Sequence, residues 1–206
     1  MDDIIGIFPT PIMISRRALS EALVAALIRQ FDETATGPNV RTALLSHTPM
    51  ENPRAHENFV AVVREVAPKV TEYGEALLGE RINWGTKEIW INRMEQGGAQ
   101  KMHNHANSFI SGVIYLTGVH ASAATVFHRH TSHTTFLMQN ENKRCKIGPY
   151  NSPIFRMPEV EPGDMVLFPS YMMHEVPPNQ GEPRMTAAFN ALPERLDSWG
   201  YMVQFR

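Results

Sequence analysis

Cysteine is nearly missing from this chain: Cys145 is the only one among 206 residues. No intrachain disulfide can therefore form, and zinc sites built on paired cysteines are excluded. An excess of one charge is missing as well. Lys and Arg number 19 against 21 Asp and Glu, a formal net charge of −2, whereas a general nucleic-acid binder carries a basic excess or stripe. Lys143, Arg144 and Lys146 make only a small basic cluster, which reads as a solvated loop. No apolar run approaches the roughly 18 residues that a membrane-spanning helix needs. Met1-Asp2-Asp3-Ile4-Ile5 lacks the positive region and long apolar core of a signal peptide. These absences leave a soluble, cytoplasmic protein with no nucleic-acid or membrane partner as the expectation. A hydrophobic share of 43% and a charged share of 19% are ordinary for a globular chain that buries a core.

Residues 4–14 are apolar and interrupted by Pro9 and Pro11, the pattern of an extended or edge strand. Over residues 18–33, Leu19, Leu23, Leu27 and Phe31 recur every four positions with Val24 and Ile28 beside them, which predicts an amphipathic helix. Residues 34–53 are rich in Thr, Pro, Asn and Gly and read as loop. A second helical pattern covers residues 55–78, with Phe59, Val62, Val63, Val66, Val70, Tyr73 and Leu77 on one side; Pro68 should kink or split it. His56 near its start and His47 in the loop before it read as surface histidines. From Thr86 the texture changes to short alternating segments separated by Gly, Pro, Asn and Ser: 87–95, 108–116, 123–128, 154–157, 165–168, 174–176 and 184–191. Seven short strands without intervening helices predict an antiparallel sandwich or barrel. The expected class is mainly β with N-terminal helices (α+β). One domain would span 1–206, with a strand and helices in 1–80 supporting a β core in 86–206.

Chemistry concentrates in His103-Asn104-His105. In an extended segment, residues two apart point the same way, so both imidazoles can reach one metal ion. Gly97 and Gly98 suit a turn that delivers the chain there. A third imidazole, His174, follows the tight-turn signal Pro162-Gly163-Asp164 and the apolar segment 165–168. Together His103, His105 and His174 read as a metal centre. Strand alternation turns Glu175 away from His174, so it is not expected among the ligands. Arg184, Thr186, Ala188 and Asn190 share one face of the last alternating run. An Arg there is placed to grip a carboxylate bidentately; the plainer alternative is an ion pair with Glu182 at a strand edge. Ser111 and Tyr115 would put hydroxyls on the cavity face of their strand, where burial demands partners. Asn92 shares a face with Trp90 and Met94 and is drawn toward the same cavity. His120, His128, His130 and His133 form a second histidine-rich stretch. With Thr131, Ser132, Thr134 and Thr135 around them, they read as a polar loop at the cavity entrance rather than a second metal site.

These pieces together resemble the iron(II)- and 2-oxoglutarate-dependent oxygenase superfamily. They are His103-x-His105, Ser111-Gly112-x-x-Tyr115-Leu116, Pro162-Gly163-Asp164-x-x-x-Phe168-Pro169-x-x-x-x-His174, Arg184 and Phe189-Asn190. Phe8-Pro9-Thr10-Pro11 and Trp90-Ile91-Asn92 are similar to a bacterial and phage-associated branch of it. The resemblance implies a double-stranded β-helix (jelly roll) holding non-haem Fe(II), with 2-oxoglutarate as cosubstrate and dioxygen as oxidant. 2-Oxoglutarate would become succinate while an unidentified small-molecule or side-chain substrate is hydroxylated or otherwise oxidised. By the same resemblance, His103 and His174 match metal ligands and Arg184 matches the cation for the far carboxylate of 2-oxoglutarate. Tyr115 and Ser111 match positions that hydrogen-bond it, and Asn92 joins them as a cosubstrate-binding candidate. His105 departs from the pattern, standing where the superfamily usually carries the Asp or Glu of its two-His-one-carboxylate triad. A three-His site has one negative charge fewer, which opens it to zinc, nickel or manganese. Two other readings compete. A cupin-type metal protein would use Gly97, His103-x-His105 and Gly112 as its first motif, but Phe109 and Ile110 stand where its Glu ligand belongs. A non-catalytic jelly-roll module would hold a metal or ligand without turnover. An exposed strand edge or the N-terminal helices could support a homodimer.

Overall fold

The computed structural model describes residue 6 and residues 9–34, 36–38, 44–129 and 142–205. His130 and His133, with the Ser and Thr residues around them, lie outside the described residues, as does Phe8. The helices are α1 (Glu21–Glu33) and α2 (Glu57–Leu78). The strands are β1 (Met13–Ser15), β2 (Gly37–Pro38), β3 (Leu45–His47), β4 (Trp84–Met94), β5 (Gln100–His103), β6 (Ile110–Tyr115) and β7 (Val126–His128). They continue as β8 (Ile154–Arg156), β9 (Met165–Pro169), β10 (His174–Val176), β11 (Arg184–Pro193), β12 (Arg195–Ser198) and β13 (Tyr201–Gln204). A seven-stranded sheet has the order β1-β9-β6-β11-β4-β3-β2, a four-stranded sheet the order β5-β10-β7-β8, and β12-β13 form a separate hairpin. Neighbouring strands are antiparallel and mostly distant in sequence, the pairing of a double-stranded β-helix.

Period-two alternation divides the large sheet between core and cavity. On β11, Met185, Ala187, Phe189 and Ala191 join Leu23, Leu27, Phe59 and Val62 of the helices in the main core. Arg184, Thr186, Ala188 and Asn190 point the other way, into the space between the sheets. That space is closed at one side by Tyr115, Val166 and Phe168 packing on Phe127. Leu45 and Met94 meet Val176 elsewhere across the gap. Because both faces of β11 are covered, it is buried along nearly its whole length.

Three expectations need correcting. Pro68 does not split its helix, which runs for 22 residues as one element. Its lost hydrogen bond is offset because Phe59, Val62, Val66, Val70 and Tyr73 bury one continuous apolar face on both sides of it. Residues 34–53 are not loop throughout, since β2 and β3 extend the large sheet beyond β4. His47, opposite Asn92 in that register, therefore lines the cavity instead of the outer surface. His56 is half-exposed and pairs with Glu51 at 3.0 Å. β2, β3, β5 and the terminal hairpin escape a periodicity reading because they are short and mostly polar or exposed. No described helix is long and apolar enough to cross a membrane.

Gly112 has a packing reason. It is the Cα partner of Phe189 in the β6–β11 register, and a Cβ there would stand 2.2 Å from Phe189 Cζ. Gly112→Ala is expected to lower stability by about 2–3 kcal/mol through overpacking. A lower denaturant midpoint with an unchanged slope would show it, and a wild-type midpoint would contradict the close approach.

Candidate metal centre

β5 and β10 are hydrogen-bonded neighbours, and their register sets His103 opposite His174. His105 lies beyond the end of β5, where its backbone N–H donates to the Ser170 carbonyl at 3.0 Å. That bond ties the departing chain to the end of β9 and turns the third ring toward the other two. Ring centroids are 4.3 Å apart for His103 and His174, 5.3 Å for His103 and His105, and 5.2 Å for His105 and His174. One nitrogen from each ring lies within 4.8 Å of the others. Nitrogens about 2.0–2.1 Å from a shared ion stand roughly 3–3.5 Å apart, so a small inward movement suffices. Among the described residues, no other group of three metal-ligating side chains comes together.

The tautomers are set by partners behind the rings. His103 Nδ1 meets the Lys101 carbonyl at 2.8 Å, His174 Nδ1 the Met172 carbonyl at 2.9 Å, and His105 Nδ1 the Asn190 Oδ1 at 2.8 Å. All three acceptors are oxygens, so Nδ1 carries the proton and Nε2 bears the lone pair. Asn190 cannot be turned round, because its Nδ2 donates to the Glu88 carboxylate at 2.8 Å. Trp90 stacks on His105 at 5.9 Å, and Phe168 packs edge-on against His174 at 4.8 Å.

Burial, then the neighbouring His103, push His105 down to about 4 and His174 down to about 3 from an ordinary 6.5. Asn190 opposes the shift at His105, and the Met172 carbonyl opposes it at His174. Both rings are thus neutral and ready for a metal at neutral pH. Their folded values lie below the unfolded one, so the unfolded chain binds the extra protons. The metal-free protein should keep this contribution in full above about pH 6.5 and lose it progressively toward pH 3–4. Urea midpoints measured in chelator across that range test the sign; a midpoint that rises on acidification would refute neutral buried rings.

The three imidazoles open into a cavity of about 450 Å³. Arg184 lines the same cavity and is only 5% exposed. Among the described residues it has no carboxylate partner, so the alternative pairing with Glu182 is not seen. Its Nη2 donates to Thr125 Oγ1 at 3.4 Å, its Nε is buried without a hydrogen bond, and its carbon lies 5.4 Å from the centre of the Tyr115 ring. Burial pushes its pKa down and Tyr115 opposes the change, but a guanidinium remains charged. A buried cation with unused donors is costly unless an anion joins it.

The remaining residues singled out from the sequence divide by depth. Asn92 lines the cavity and accepts from Trp90 Nε1 at 3.2 Å. Tyr115 is 1% exposed and stands behind Arg184, its hydroxyl 3.4 Å from Thr125 Oγ1. Ser111 is not on the cavity wall. Its hydroxyl donates to Asn190 Oδ1 at 2.8 Å and meets Ser170 Oγ at 2.8 Å, so it braces the partner of His105. Alternation predicted its side correctly, but Asn190 of β11 and Ser170 just past the end of β9 satisfy the hydroxyl before it reaches the cavity. Glu175 points to His128 at 3.2 Å, and His120 accepts from the Ser122 backbone at 3.2 Å. Thr125 and Glu88 were missed. Glu88 shares the face of Trp90, Asn92 and Met94, so alternation alone could have found it.

A model of the family "Putative 2OG-Fe(II) oxygenase" matches residues 88–190, half of the chain, from Glu88 to Asn190. No curated protein matches. Among solved structures, HygX from Streptomyces hygroscopicus with nickel and 2-oxoglutarate bound is 12% identical, with a TM-score of 0.66 covering 89% of this chain and 83% of that one. The non-heme α-ketoglutarate-dependent epimerase SnoN from nogalamycin biosynthesis is 11% identical, with a TM-score of 0.62 over 90% of this chain and 80% of its own. A Pseudomonas putida prolyl-4-hydroxylase is 17% identical, with a TM-score of 0.59 over 88% and 92%. At such identities the likeness is one of fold. The stretch that the family model spans carries the three imidazoles, Arg184 and most of the other residues lining the cavity, and this chain belongs to the 2OG-Fe(II) oxygenases, oxidoreductases that depend on iron and 2-oxoglutarate.

Proposed function

We propose that this chain is a dioxygenase in which His103, His105 and His174 hold Fe(II) through Nε2 while Arg184 pairs with the far carboxylate of 2-oxoglutarate. The observation that carries the reading is Arg184: a buried guanidinium with no carboxylate partner among the described residues, facing the cavity onto which the three imidazoles open. Bound iron would supply dioxygen activation coupled to conversion of 2-oxoglutarate into succinate and carbon dioxide, with the second oxygen atom available to the substrate. The chain's own part is to bind, orient and exclude water. The Tyr115 ring lies against the guanidinium, and Thr125 anchors one of its nitrogens. Trp90 and Phe168 cover the rings of His105 and His174, limiting their rotation and keeping solvent off them. Asn92 is a further polar contact on the wall. Pro38, Leu45, Met50 and His47 line another part of the cavity. A space of about 450 Å³ suits the cosubstrate plus part of a small molecule or a side chain.

The test is anaerobic loading with Fe(II) and 2-oxoglutarate, followed by air. A visible charge-transfer band and succinate formed in step with dioxygen uptake support the proposal. Dioxygen uptake that ignores 2-oxoglutarate would favour a cupin-type enzyme instead. Metal held with no dioxygen consumed would favour a binding module.

A further inference from the structure

We propose that Glu88 is a positioning residue: through Asn190 it delivers to the metal the negative charge that His105 does not bring. This rests on the metal-site reading above. Fe(II), doubly charged 2-oxoglutarate, the Arg184 cation and three neutral imidazoles sum to one uncompensated positive charge. A carboxylate in the place of His105 would cancel it. In this chain a carboxylate stands two hydrogen bonds behind that ring instead.

The register builds the connection. Glu88 of β4 and Asn190 of β11 are Cα partners, and Asn190 and Ser111 of β6 are partners on the other side. The three side chains therefore form a row across the sheet. Glu88 Oε1 accepts from Asn190 Nδ2 at 2.8 Å; Asn190 Oδ1 accepts from His105 Nδ1 and from Ser111 Oγ, each at 2.8 Å. Asn190 is 3% exposed, so water does not dilute the polarisation of its amide. A carboxylate at one end of a buried amide strengthens the acceptor at the other, which raises electron density on the far nitrogen of the imidazole. Lys87 Nζ lies 3.2 Å from Glu88 Oε1 and opposes this effect, but its side chain is 36% exposed and therefore screened.

Glu88→Gln keeps an acceptor for Asn190 and removes only the charge. Fe(II) affinity, measured anaerobically by chelator competition, should fall about tenfold. The charge-transfer band of the Fe(II)–2-oxoglutarate complex should move to shorter wavelength, because a less electron-rich metal gives up its electron less readily. The metal-free melting temperature is the control for folding. In the double variant E88Q/N190D a carboxylate contacts His105 directly, and both affinity and band position should return; this comparison holds even if the single variant melts earlier. Wild-type affinity and band in Glu88→Gln would overturn the role of Glu88 while leaving the three-His site standing. A loss that the double variant fails to restore would make Glu88 a mere brace and overturn the inference too. Failure of the wild-type protein to bind Fe(II) would remove the site itself, and the inference with it.

Discussion

Arg184→Met is expected to weaken 2-oxoglutarate binding severely and, at the same time, to make the metal-free fold more stable. The two effects share one cause. Arg184 is 5% exposed, carries a full charge, and leaves its Nε without a hydrogen bond. Truncating one partner of a buried charge pair costs about 2–5 kcal/mol, or roughly 30- to several-thousand-fold in Kd for the cosubstrate. Without the cosubstrate, Arg184 has no ion pair to break among the described residues, only a desolvated cation to remove. Replacing buried charges by an apolar side chain of similar volume is neutral or stabilising by about 1–4 kcal/mol. Calorimetric titration with 2-oxoglutarate measures the first effect, and denaturation in chelator measures the second. Arg184→Lys should fall between, since it keeps the charge but not the planar fork. A methionine variant that melts earlier than wild type would mean the guanidinium already has the partner it needs, and the cosubstrate assignment would fail.

The second large effect is expected at His174. Its ring is 5% exposed, 4.3 Å from His103 and packed on Phe168, so it has no alternative position. His174→Ala leaves two imidazoles, and the adjacent carboxylate is directed elsewhere, since Glu175 faces His128 at 3.2 Å. Structural zinc sites gain about 10–16 kcal/mol from their full ligand set, so one lost ligand should weaken metal binding by roughly a hundred- to a thousandfold. Succinate formation should disappear with it. His128→Ala is the matched control and should retain metal. Stoichiometric metal in dialysed His174→Ala would remove His174 from the ligand set.

How the large sheet works was legible from alternation. Arg184, Thr186, Ala188 and Asn190 fall on one side of β11 and Met185, Ala187 and Phe189 on the other in both the sequence pattern and the structure. Side-chain direction in a strand is local, so it survives any choice of strand partner. Ser111 marks the limit of that reading. Its side was correct, but its depth depended on Asn190 and Ser170, which lie on other parts of the chain. The same holds for His47, drawn into the cavity only because a short edge strand pairs with β4.

The sequence by itself determined which residues could bear chemistry: the two-residue spacing of His103 and His105, the His after a tight turn, and the sidedness of Arg184. These follow from backbone periods a few residues long. Only the tertiary structure decided that His103 faces His174, that Arg184 is buried with no carboxylate partner among the described residues, and that Glu88, Asn190 and His105 form one chain of hydrogen bonds. Each of these depends on the register between strands far apart in sequence. A shift of one residue would turn every side chain to the opposite face, and no local pattern records that choice.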